Sequence, residues 1–110
     1  MIDETFKKIE RRVTDADGLD TDKKAELKGL IETLRTEVTE LAKIDPEQSR
    51  SIAGFAEVST HEATREEKQP RLLQHSVGGL GASVIGFEKD HPQLTEIVNR
   101  VCMFLSNMGI

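Results

Sequence analysis

The stretch GFEKDHPQLTEIVNRVCMFLSNMGI, residues 86–110, constrains the fold more than any other part of the chain. Leu94, Ile97, Val98, Val101, Phe104, Leu105 and Met108 recur at steps of three and four, which is one apolar face of an α-helix. A long apolar stripe of this kind must be covered. The remaining residues therefore read as the layers that cover it.

Ahead of this helix, Lys89-Asp90-His91-Pro92 turns the chain. Asp90 or His91 caps the helix, and Pro92 fits its first turn, where a missing N–H costs nothing. Gly109 suits a helix stop, and a chain ending on Ile110 suggests that the final residues tuck against the body.

Three further stripes have the same period. Ile2, Phe6, Ile9 and Val13 mark a short first helix that ends between Asp15 and Gly18, with Asp3 and Glu4 where the helix dipole favours anions. Leu27, Leu30, Ile31, Leu34, Val38 and Leu41 mark a second helix behind an Asp20 cap. Its Glu- and Lys-rich flanks read as a solvated outer wall. Leu73, Val77, Leu80, Val84 and Phe87 mark a fourth segment, although Gly78, Gly79, Gly81 and Gly86 fall inside it. Each glycine costs a helix interior roughly 1 kcal/mol relative to alanine. Gly78, Ala82 and Gly86, four apart, would give a smooth strip for another helix to approach. The alternative is a break near Gly78-Gly79.

Between the second and fourth segments, Asp45-Pro46-Glu47-Gln48 restarts the chain as a helix, with Asp45 capping and Gln48 placed to close a capping box. The third helix then runs through SRSIAGFAEVSTHEATREEK until Pro70 stops or kinks it. Its apolar face is thin: Ile52, Phe55, Ala56, Val58 and Ala63, diluted by Ser51, Ser59, Thr60 and Thr64.

The predicted fold is all-α: an antiparallel bundle of four to five amphipathic helices in a single domain. Residues 1–44 form a charged hairpin, 45–69 a polar middle helix and 70–110 an apolar helical pair. Charge supports this division. Residues 1–44 hold 9 Lys/Arg and 11 Asp/Glu, residues 45–69 hold 3 and 6, and residues 70–110 hold 3 and 3. The last segment is therefore expected to supply the most buried surface. The predicted core is Phe6, Ile9, Leu27, Leu30, Ile31, Leu34, Val38, Leu73, Val77, Leu80, Val84, Phe87, Leu94, Val98, Val101, Leu105 and Met108.

A net charge of −5 argues against binding nucleic acid, whose phosphates need a basic patch. No apolar run approaches the ~20 residues of a transmembrane helix, and no secretory leader is visible. The single cysteine, Cys102, cannot form an internal disulfide, which fits a cytoplasmic location. It reads as a buried structural thiol.

Nucleophile elbows, phosphate loops and paired-Cys spacings are missing from the sequence, so no enzyme activity and no cofactor are expected. The three histidines, His61, His75 and His91, form no HExxH or ExxH pattern. Glu57, His61 and His75 remain the weak candidates for a ligand or metal. The stronger reading is a non-enzymatic interaction module that self-associates, a homodimer first, with an unidentified protein partner left open. The candidate interface is Leu73, Val77, Gly78, Leu80, Ala82, Val84, Gly86, Leu94, Val98, Val101, Leu105 and Met108. A ligand- or metal-binding bundle is the alternative.

The closing segment carries a resemblance. Phe87, Glu88, His91, Pro92 and Leu94, with Asn107-Met108-Gly109-Ile110, match the F-E-x-x-H-P-x-L…NMGI pattern of a small bacterial family catalogued as domain of unknown function 4404. The first two helices, the Leu19-Asp20 turn and STHEATR (residues 59–65) are similar too. The resemblance implies a small, all-helical, cytoplasmic bacterial protein. It brings no activity, cofactor or catalytic residue.

Overall fold

In the computed structural model, which describes residues 2–108, the chain forms five helices. They are α1 (Ile2–Asp15), α2 (Thr21–Ala42), α3 (Pro46–Thr64), α4 (Pro70–Ala82) and α5 (Pro92–Met108). Strands are absent among the described residues, and the all-α bundle read from periodicity is the observed fold. The expectation of a tucked Gly109-Ile110 end lies outside the described residues.

Local chemistry sets the ends. The Asp20 carboxylate accepts from Lys23 N at 2.8 Å, and that of Asp45 accepts from Gln48 N at 3.1 Å. Pro46, Pro70 and Pro92 each open a helix, where proline's fixed φ fits the first turn. His91 precedes α5 and its carbonyl accepts from Thr95 N at 3.2 Å, while its ring leans on Phe87 with centroids 5.7 Å apart.

The helices alternate in direction. The start of α1 (Ile2), the end of α2 (Ala42) and the start of α3 (Pro46) line one small hollow. The ends of α1, α3 and α5 meet at the opposite pole. In cross-section, α3 lies between α1 and α4, which do not touch each other, and α2 and α5 form the second layer. Only α3 touches all four other helices.

That placement corrects the reading of α3 as a polar, weakly packed helix. Ser49, Ile52, Ala53, Ala56, Ser59, Thr60, Glu62 and Ala63 are buried, more positions than in any other helix. Small side chains let four neighbours approach one helix closely. The hydroxyls cost little because most turn back on their own helix: Ser49 Oγ donates to Asp45 O at 3.0 Å and Thr60 Oγ1 to Ala56 O at 2.8 Å. Phe55 and Val58, expected on the apolar face, point outward instead. The helix also ends at Thr64, earlier than expected, where Lys68 Nζ donates to the Ala63 carbonyl and Arg65 turns extended.

Two further corrections concern local structure. Gln48 does not close a capping box, since Asp45 N already donates to Leu41 O at 2.8 Å. Its Nε2 instead donates to Ser83 O at 2.6 Å and ties the start of α3 to the end of α4. In α4, the helix continues through Gly78, Gly79 and Gly81, so there is no break at Gly78-Gly79. Gly86 lies beyond it, in a turn with φ +96°, a conformation glycine adopts without strain.

The core matches the predicted list except at four positions. Leu30, Val77, Phe87 and Met108 are half-buried and pack on its edge. The first two helices contribute Phe6, Ile9, Val13, Leu27, Ile31, Leu34, Val38 and Leu41 to it. Burial is therefore not concentrated in the last segment. Arg35 of α2 reaches α1 twice, to Asp3 Oδ1 at 3.2 Å and Glu10 Oε1 at 3.4 Å, and these carboxylates raise the guanidinium pKa.

Candidate functional site

The ligand candidates do not converge. His75 is exposed in the middle of α4, whereas His61 and Glu57 lie half-buried on α3. His61 Nε2 sits 3.8 Å from Glu62 Oε2, its neighbour in sequence, rather than on Glu57 or Arg65. Glu62, nearly buried, is held by Arg65 Nη1 at 3.1 Å. Among the described residues, no group of three or more His, Cys, Asp or Glu side chains could hold a metal ion.

Cys102 is half-buried and its Sγ donates to Val77 O at 3.7 Å, linking α5 to α4. Burial pushes its thiol up to about 11. A protonated thiol is a poor nucleophile.

One pole of the bundle carries an open groove of about 1070 Å³. Its apolar wall comes from Ile9, Leu19, Phe104 and Met108. Lys8, Arg11, Arg12, Lys23, Arg65 and Lys68 line it together with Asp15, Asp17, Glu26, Glu57 and Glu66, so charges of both signs are present in nearly equal number. Nothing in the sequence periodicity signals this groove, because it is assembled from helix ends and turns.

The candidate interface residues separate into two groups. Leu73, Leu80, Val84, Leu94, Val98, Val101 and Leu105 are buried within one chain, Val77 and Met108 partly so, and none of them offers a free face. Gly78, Ala82 and Gly86 are exposed. Among the described residues, nothing from elsewhere in the chain lies within 4 Å of the place a β-carbon would take at Gly78 or Gly86, so the supposed strip has no partner helix there. The glycine packed closely is Gly79, where a β-carbon would overlap the Phe55 ring.

The sequence reading missed the apolar side chains left outside. Phe55, Val58 and Leu72 are 41%, 49% and 48% exposed, and Ile44, Ile85 and Met103 are exposed elsewhere. Phe55 and Val58 were visible as apolar α3 residues, but periodicity alone could not tell that the inward face belongs to smaller side chains.

These features define a five-helix all-α bundle with a solvent-facing apolar surface and, among the described residues, no metal cluster. The chain belongs to the family described as "Domain of unknown function (DUF4404)", whose model matches residues 27–110. No curated protein and no solved structure matches it. Among the described residues, no helix is long and apolar enough to cross a membrane.

Proposed function

We propose that this chain is a non-enzymatic helical module that acts by self-association, as a homodimer in the bacterial cytoplasm. The observation that carries the reading is the set of large apolar side chains left in solvent around a finished core. Phe6, Leu27, Leu34, Leu80, Leu94 and Leu105 are fully buried without a partner chain, so the fold does not need Phe55, Val58 or Leu72 outside. Phe55 and Val58, three residues apart on one face of α3, support an interaction surface there. A cysteine without a disulfide partner supports the reducing compartment.

The test is sedimentation equilibrium across micromolar concentrations, backed by native mass spectrometry of untagged protein. A dimer that dissociates on dilution is the expected result. A monomer at every concentration overturns the proposal. The polar groove favours a second reading, a small-ligand-binding bundle. A reproducible added mass on the monomer, with no dimer, would replace the first reading by the second.

A further inference from the structure

We infer that two copies of this chain pair by exchanging α1, each first helix docking on α2 and α3 of the other copy. The inference rests on the self-association reading and names its means.

A dimer needs more surface than the chain leaves free. Phe55, Val58 and Leu72 are each about half exposed. Together they offer only about 300 Å², against the roughly 800 Å² that each partner buries in a standard interface. The larger apolar face is the one α1 already covers. Phe6, Ile9 and Val13 are fully buried where α1 packs against α2 and α3. The same helix from a second copy fits that face with the same contacts, so the pairing needs no new complementarity.

Polar contacts from α2 fix the position of the docked helix. Arg35 reaches Asp3 at 3.2 Å and Glu10 at 3.4 Å, two points seven residues apart along α1. Lys24 Nζ donates to Thr14 O at 2.9 Å, near the end of α1. These bonds re-form unchanged between chains.

The connection lets α1 change hosts. Residues 16–20 join α1 to α2, and Asp15 to Leu19 border the open groove at that pole. Nothing from elsewhere in the chain lies within 4 Å of the place a β-carbon would take at Gly18. The link can therefore straighten at Gly18 without displacing a packed neighbour there. A free helix of 14 residues is marginal in water, so a released α1 is driven to dock again, on its own chain or on another. Closed and exchanged forms share the α1 contacts and differ at the link, so protein concentration decides between them.

Charge complementation tests the exchange. One variant carries Arg35→Glu, and the other carries Asp3→Lys together with Glu10→Lys. Either variant alone sets like charges together in both the closed and the exchanged form. In an equimolar mixture, the exchanged heterodimer pairs the native α1 with Arg35 and the substituted α1 with the substituted α2. Native mass spectrometry should then show heterodimers well above their statistical share of about half of all dimers. All three substitutions in one chain restore the pairing and should return the wild-type Kd. If wild-type protein dimerises and heterodimers stay at or below the statistical share, α1 exchange is wrong while self-association stands. If wild-type protein is monomeric at every concentration, both fail.

Discussion

Ser59 offers a test in which packing and polarity make opposite forecasts. It sits at the centre of α3, fully buried, and its Oγ has no hydrogen-bond partner among the described residues. Truncating a buried side chain ordinarily destabilises a core. Here, Ser59→Ala removes an unpaired polar atom, whose burial costs about 1–3 kcal/mol, and replaces serine with a better helix former. An unfolding entropy of about 2.1 cal/mol/K per residue gives about 0.23 kcal/mol/K for a chain of 110 residues. The Tm should therefore rise by about 4–13 °C. Thr60, the next residue, is equally buried, but its Oγ1 already donates to Ala56 O at 2.8 Å. Thr60→Val keeps the shape, loses that bond and should lower stability by about 0.5–1.5 kcal/mol. Both variants are best measured by urea titration at low protein concentration, where any association adds least to the apparent stability. Opposite shifts of the midpoint with an unchanged m value are the expected result. A neutral or destabilised Ser59→Ala would show that the hydroxyl is satisfied in solution and would refute the reasoning.

Three other outcomes follow from single contacts. Val101→Asp places a carboxylate at a fully buried position of α5, which costs several kcal/mol, so a cooperative melt like that of the wild type would contradict the core assignment. Gln48→Ala removes the 2.6 Å bond to Ser83 O and should cost about 1 kcal/mol, with faster amide exchange confined to the α4–α5 turn; unchanged exchange there would show that the tie carries no energy. Cys102, its thiol pushed up to about 11, should alkylate slowly at neutral pH and quickly only in strong alkali. The sign for stability is set by the same shift. The folded state holds the thiol proton more tightly than the unfolded chain, so stability should fall as pH rises from the ordinary 9.0 toward about 11. Rapid alkylation of folded protein at pH 7 would show that the thiol is not desolvated.

Periodicity was enough to place four helices, because α1, α2, α4 and α5 each bury one stripe against one side. It also located two caps, since the Asp20 and Asp45 carboxylates accept from backbone N–H groups three residues away. It failed where the deciding contact is remote. Gln48 had a local role open to it, but Ser83, 35 residues on, takes its amide. Gly79 looked like a helix breaker until the Phe55 ring supplied a reason for it. Arg35 bridges to Asp3 and Glu10 across a helix pair that no spacing rule reveals. The groove was invisible for the same reason, since its lining comes from four helices and two connections.

The error over α3 is the most informative of these, because it links the fold to the proposed assembly. A helix touched by four others needs small side chains around most of its circumference, and Ala53, Ala56, Ser59, Thr60 and Ala63 supply them. With that space filled, a strip of α3 is left facing solvent. Solubility would favour Lys or Glu there. The chain instead places Phe55 and Val58 on it, beside the acid-free helix α4. Phe55 packs its ring over Gly79, whereas Val58 stays half in solvent. A surface that keeps apolar side chains where its own fold would accept charge is best explained by what it meets.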